Sequence, residues 1–346
     1  MDYSVCEDTQ AIVDLSHKIF SDAVDDTALT QHDGDIDQVL WRTCAEAGLI
    51  GLHMPETAGG LELSFETLCR VLEQLGKINA PIPLMQTALA GAVVAKSRFC
   101  ETIDSVLAGD SCFALSLSDG LTEAEGRVSG IVDAVAYADT AAVIVLRCDE
   151  SLVVVDRAAC KHIEPQRLSS GQPAAQVELD LPLDQVDLVE GLAVLGQKLK
   201  TATAWLSLGV LGEALARTAS YTAERRQFAK PLATFQAVAH RAANGYIDLE
   251  CLRGVAEQAA WSIDEGKSST LEADMAYWWA CEAAHRTVHT TQHLHGGMGA
   301  DLTYPIHRFF LRAKELEFSL GGAEHTLAQV GRDLVAQSPS ERRLQC

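Results

Sequence analysis

"ERRQFAKPLATFQAVAHRAA", residues 224–243, is the stretch on which the fold of this chain turns. Behind it lies a long segment with apolar residues three and four apart, and beyond Lys230-Pro231 the same spacing resumes. Proline removes a backbone donor and drives the preceding residue out of the helical region, so a helix is predicted to break near Lys230 and a new one to start soon after. Arg225 and Phe228 then fall where a loop can present them to a ligand. Without that break, Glu224, Arg225 and Arg226 read as surface charges closing a helix.

Outward from this point the texture changes twice. The segments "GLAVLGQKLKTATAWLSLGVLGEALARTASYTAERRQ" (191–227) and "EADMAYWWACEAAHRTVHTTQHLH" (272–295) carry helical periodicity well beyond the usual three or four turns, which predicts a bundle. Toward the N-terminus, "IDQVLWRTCAEAGLIGL" and "SFETLCRVLEQLGKI" are also helical, with a "PETAGG" turn between them. In the middle stand short β-rich runs, "CFALSLS", "AAVIVL", "SLVVVD" and "AQVELDLPL", separated by Asp, Gly, Ser and Pro. The expected class is α+β, mainly α: a helical domain over 1–111, a small β domain over 112–190 and a helical bundle over 191–346.

Composition narrows the functions open to such a fold. A net charge of −21 repels a nucleic-acid backbone or an anionic membrane surface, although it allows a local basic pocket for one anionic small molecule. No apolar run reaches the roughly 18 residues of a membrane span, and the acidic start "MDYSVCEDTQAIVDLSHKIF" lacks the basic region of a secretory signal, so the expected compartment is the cytosol. Ten scattered cysteines without a C-x-x-C pair are expected to be reduced, mostly buried thiols, with neither disulfides nor structural zinc.

His285, His289 and His293 share a helix face, as a metal site would require. No Glu base is placed as in H-E-x-x-H and no second cluster supplies further ligands, so the ladder reads as a polar helix face and no metal is expected. Gly296, Gly297 and Gly299 follow. A lone G-G-x-G is ordinarily a helix stop, and its functional use would be to let bare backbone N–H groups approach an anion.

Three stretches in order, "AEAGLIGLHMPETAGGLELSFETLCRVLEQLGK", "YTAERRQFAKPLATFQAVAHRAAN" and "HLHGGMGADLTYPIHRFFLRAKELEFSLGGAEH", resemble the flavin-dependent acyl-CoA dehydrogenases over nearly the whole chain. The resemblance implies an N-terminal helical domain, a middle β domain, a C-terminal four-helix bundle, and FAD held between subunits. In that family an Arg-x-x-Phe segment, a following Gln and a Gln-x-x-Gly-Gly segment reach the ADP portion of the FAD held mainly by a neighbour. Those roles fall on Arg225, Phe228, Gln236, Gly296 and Gly297, with His293 where the family usually has Gln and Gln292 beside it. A guanidinium offers a fixed fork of donors to a pyrophosphate, which suits Arg225 to its role.

The departures from the family concern its chemistry. Members take an α-proton with a Glu, usually near the C-terminus, where this chain has Leu320 followed by Gly321 and Gly322. A minority carry the Glu on the long helix before the Arg-x-x-Phe segment, and there stands Leu199. Leucine takes no proton. Glu315, Glu317 and Glu324 lie near, and a surface role is expected for each. The family's flavin-ring loops correspond to "SLSDGLTEAEG" and "DAVAYAD", with Ala134 to Ala136 in place of aromatic and hydroxyl residues.

The combination resembles the non-catalytic subunit of α2β2 acyl-CoA dehydrogenases of the steroid side-chain type. It implies FAD shared at a mixed interface, a homologous partner carrying the Glu, an acyl-CoA substrate and an electron-transferring flavoprotein as acceptor. Two alternatives stand beside it: a homo-oligomeric dehydrogenase or acyl-CoA lyase with a relocated base, and a flavin-free interaction protein.

Overall fold

The computed structural model describes residues 5–26 and 35–336. Helices come first: α1 (Glu7–Ala23), α2 (Gln38–Glu46), α3 (Phe65–Ile78), α4 (Leu84–Val94) and α5 (Ile103–Leu107). Eight strands follow between Phe113 and Val189. The chain then returns to helix in α6 (Leu192–Glu224), α7 (Gln236–Asp264), α8 (Thr270–His295), α9 (Ile306–Phe318) and α10 (Gly322–Ala336). This is the mainly helical α+β order that the three textures predict.

At 33 residues α6 is about 50 Å long, and between Leu199 and Thr222 it buries side chains around most of its circumference. Such a helix is stable only inside a bundle, and α3, α7, α8 and α9 surround it. The crossing of α3 over α6 brings backbone to backbone. A Cβ on Gly76 would stand 2.3 Å from the Leu206 carbonyl oxygen, and one on Gly209 only 2.0 Å from that of Glu73. The first turn of α3 is tied to the bundle as well, because the Phe65 and Glu66 N–H groups donate to the Asp264 carboxylate at 2.8 and 2.9 Å. An acidic cap at a helix N-terminus satisfies orphan donors and opposes the helix dipole.

Two four-stranded sheets make the middle region. One has the order β1 (Phe113–Ser116), β4 (Val143–Cys148), β5 (Ser151–Asp156), β8 (Asp187–Val189); the other has β2 (Leu121–Ala124), β3 (Arg127–Ala136), β7 (Pro173–Pro182), β6 (His162–Arg167). The four apolar runs seen in the sequence carry β1, β4, β5 and β7. The others escape because their composition is mixed: β6 contains a proline and buries no residue fully, and β3 is interrupted by a bulge between Val132 and Val135, where Ala134 takes φ 55°.

The helix break also comes earlier than Lys230-Pro231 predicts. α6 stops at Glu224, Arg225 is extended, and a hairpin of β9 (Arg226–Gln227) and β10 (Lys230–Pro231) places the proline on its second strand. All nine described cysteines are free, and burial pushes the Cys44, Cys112 and Cys281 thiols up to about 12, which makes them inert. No helix among the described residues is long and apolar enough to cross a membrane.

Candidate functional site

Between the sheets and the bundle lies a cavity of about 420 Å³. Leu199 comes to it from α6, Leu320 from the turn after α9, Ser116 to Ser118 from the end of β1, and Ala134 and Ala136 from the bulged strand. The segments read from the sequence as departures from the resembled chemistry thus meet at one place. Leu320 is held there by Tyr277 of α8, whose hydroxyl accepts the Leu320 N–H at 3.0 Å and lies 3.2 and 3.0 Å from the Leu316 and Glu317 carbonyl oxygens. Burial pushes the Tyr277 phenol upward, so it remains a protonated donor.

The expected surface role of Glu315 and Glu317 is wrong. Their side chains are only 11% and 9% exposed, and each is buried with a cation. Glu315 pairs with Arg312, which also donates to Gln172 at 2.6 Å, and the same Gln172 oxygen accepts the Tyr137 hydroxyl at 3.0 Å. Glu317 accepts from Lys314 at 2.6 Å and lies 3.3 Å from His285 Nδ1. A carboxylate leaves water only with such partners, and the i,i+3 spacing of Arg312 with Glu315 was the sequence signal for the first pair. Glu324 is exposed. Glu315 lines the cavity, and its Oε2 has no hydrogen-bond partner.

Arg225, Phe228, Gln236, His293, Gly296 and Gly297 are all exposed. Phe228 and Ala229 form the two-residue turn of the hairpin with φ of 51° and 64°, the geometry that matches strand twist but strains any residue with a Cβ by roughly 1–2 kcal/mol. Phe228 is 89% exposed at that tip and meets Phe235 edge-on at 6.3 Å. Gln236 opens α7 directly after Phe235. Tyr221, one turn before Arg225, stacks on His295 at 4.4 Å and joins the end of α6 to the end of α8. The hairpin and the Gly296-Gly297 turn therefore share one end of the bundle.

Gly296 takes φ 58° and ψ −131°, a conformation for glycine, and nothing lies within 4 Å of where a Cβ would stand on Gly296 or Gly297. Gly299 differs, since its Cβ would meet the Gln292 carbonyl oxygen at 2.5 Å, so that glycine serves packing. Gln292 is partly buried and donates to the Gly299 carbonyl oxygen, which leaves His293 as the outward residue of the pair. An exposed guanidinium, an exposed aromatic ring and open glycine backbone form a donor set that fits the diphosphate and adenosine half of a flavin dinucleotide. His285, His289 and His293 face solvent, and among the described residues no group of three or more His, Cys, Asp or Glu side chains is arranged to hold a metal.

Comparison with known proteins identifies the family. Residues 6–97 match the acyl-CoA dehydrogenase N-terminal domain and residues 197–335 the C-terminal domain. The acyl-CoA dehydrogenase FadE27 of Mycobacterium tuberculosis is 32% identical over 98% of this chain and 100% of its own length. Among solved structures, the ChsE4-ChsE5 complex from Mycobacterium tuberculosis superimposes with a TM-score of 0.88 at 29% identity, covering 98% of this chain and 100% of its counterpart. A Tcur3481-Tcur3483 steroid ACAD variant gives 0.88 at 34% identity, covering 95% and 98%. The chain belongs to the acyl-CoA dehydrogenase family of oxidoreductases.

Proposed function

We propose that this chain is the subunit of a heteromeric FAD-dependent acyl-CoA dehydrogenase that contributes part of the flavin site and no base. The observation that carries the reading is the convergence of Leu199 and Leu320 on one cavity wall, while the Arg225 end of the bundle faces outward. Proton abstraction from an α-carbon needs a basic group at the reacting atom, worth roughly two to four powers of ten, and neither leucine supplies one. The base then belongs to a homologous subunit.

In this reading Arg225 neutralises the FAD pyrophosphate, the Gly296 and Gly297 N–H groups approach it, and Phe228, Gln236 and His293 pack along the adenosine side. Bound FAD would supply the hydride acceptor. A steroid acyl-CoA as substrate rests on the likeness to a steroid ACAD, and a two-component assembly on both structural relatives. An electron-transferring flavoprotein would take the electrons.

The test is flavin content and native mass of the chain alone and after co-expression with a homologue that carries the Glu. About one FAD per two chains in the mixed complex, with a colourless lone chain, supports the proposal. One FAD per chain and turnover in the lone protein would sink it.

One observation favours a second reading, an enzyme acting alone: Glu315 lines the cavity with an unpartnered carboxylate oxygen. Its pairing with Arg312 engages the other carboxylate oxygen. If the lone protein turned over and Glu315→Gln abolished that activity, Glu315 would be the base.

A further inference from the structure

The cavity beside Leu199 and Leu320 also holds a polar side chain that the protein leaves unused. Gln86 of α4 lines it and is only 9% exposed, yet among the described residues its amide has no hydrogen-bond partner. Unlike Glu315 Oε2, neither amide atom is sealed from the surface, so the exposure that Gln86 keeps belongs to the cavity it lines. Its helix is held in place: the neighbouring Thr87 hydroxyl accepts the Phe113 N–H at 3.2 Å and donates to the Phe113 carbonyl oxygen at 3.3 Å, which pins α4 to β1. A buried amide without partners is costly, and few survive in folded proteins without a ligand, water or function to account for them.

The rest of the wall narrows the choice of occupant. Met85, Leu115, Leu199 and Leu316 give it an apolar surface, and about 420 Å³ suits a small organic molecule. Ser116 and Ser118 are half-exposed and exposed, so solvent serves their hydroxyls. The Thr203 and Ser319 hydroxyls donate to the Leu199 and Leu316 carbonyl oxygens at 2.8 and 3.0 Å. Arg312 is paired with Glu315 and Lys314 with Glu317, and charges compensated in this way favour a neutral occupant. Arg312 spends only Nη1 on Glu315 and Gln172, so its remaining N–H groups also favour an occupant with a strong acceptor.

We propose that this cavity binds an apolar lactam, whose carbonyl oxygen accepts from Gln86 Nε2 while its N–H donates to Gln86 Oε1. A small lactam ring holds N–H and C=O on the same side, as the edge of a primary amide requires, whereas an open-chain amide is trans and turns them apart. Water fits the same edge, and an occupant displaces it without loss only by replacing both bonds. A ketone replaces one. The inference is independent of the shared-flavin reading, because it concerns binding to the lone chain through a residue with no part in that reading.

Equilibrium dialysis of the purified full-length chain against dihydrocarbostyril, its N-methyl derivative and β-tetralone tests it. The three share one bicyclic body, but only the first carries both a donor and an acceptor. It should bind roughly tenfold more tightly than either analogue. Gln86→Leu gives up no hydrogen bond within the protein, so the variant should fold and should lose that preference. Absence of lactam binding, equal binding of the lactam and its N-methyl derivative, or a preference retained in Gln86→Leu would overturn the proposal. The first two results are read on the wild type and stand even if the variant does not fold.

Discussion

Leu199 and Leu320, one from the longest helix and one from a glycine turn, stand on the wall of a single cavity. The two positions that the family resemblance implies for a base line one cavity, and both hold a side chain that cannot ionise. Leu320→Glu would put a carboxylate into that wall, where desolvation raises its pKa. A raised acid keeps its contribution below the unfolded pKa and loses it as pH rises through the folded value. The variant is expected to melt near the wild type at pH ~5 and to be about 1–3 kcal/mol less stable at pH ~8. Thermal unfolding at the two pH values checks it.

Arg225→Ala should release FAD from the mixed complex. Loss of a charge-assisted pair costs about 2 kcal/mol, or roughly thirtyfold in affinity. Arg225→Lys should retain part of the binding, since a point charge replaces the fork. Flavin titration of the reconstituted complex gives the answer, and unchanged affinity in Arg225→Ala would remove this residue from the cofactor site.

Phe228→Gly should act in opposite directions on stability and on assembly. Glycine relieves the left-handed strain at φ 51°, so the lone chain is expected to gain about 1 kcal/mol in urea unfolding. The same change removes an exposed ring from the end of the bundle proposed to meet FAD and should weaken FAD retention by the proposed complex. A chain that loses stability on this substitution would mean that the ring packs at home.

Gly209→Ala should destabilise the chain by about 1–3 kcal/mol, because its methyl would stand 2.0 Å from the Glu73 carbonyl oxygen and force α3 away from α6. Gly254→Ala, where nothing lies within 4 Å, is the matched control and should be neutral or slightly stabilising. Denaturant midpoints of the two variants make the comparison.

Acid should weaken the contact between the N-terminal helices and α6. His53 Nδ1 donates to the Leu63 carbonyl oxygen at 2.9 Å, which leaves Nε2 to accept from the Lys198 ammonium at 2.7 Å. Burial, and then the Lys198 charge, hold His53 below its ordinary 6.5. In the window beneath that value the unfolded chain binds the proton and the folded chain does not, so stability falls as pH drops below 6.5. Stability of the wild type should therefore decline from pH ~7.5 to ~5.5 more steeply than that of His53→Gln. Parallel curves for the two proteins would exclude His53 as the source.

Length made α6 and α8 readable, because apolar residues three and four apart recur over many turns in both. Strand β6, "HIEPQR", was illegible because its pairing with β7 rests on backbone bonds and leaves no apolar record. The Arg225 region was found through a residue pattern and a proline, yet its hairpin and the strained Phe228 were not. Both depend on φ values that residue identity alone would not favour. Glu315 and Glu317 were misplaced for a related reason: charge predicts exposure until a partner such as Arg312 or Lys314 is known.

By itself the sequence determined the mainly helical class, the family likeness and the absence of a carboxylate at positions 199 and 320, since these follow from residue identity and local spacing. Tertiary structure alone decided that those two leucines share a cavity, that Gln86 lines it with an unpartnered amide, and that Arg225, Phe228 and the Gly296-Gly297 turn face outward at one end of the bundle. Proximity between residues distant along the chain is set by how helices cross. Here it depends on the close approach of α3 to α6 at Gly76 and Gly209, and on the stacking of Tyr221 against His295.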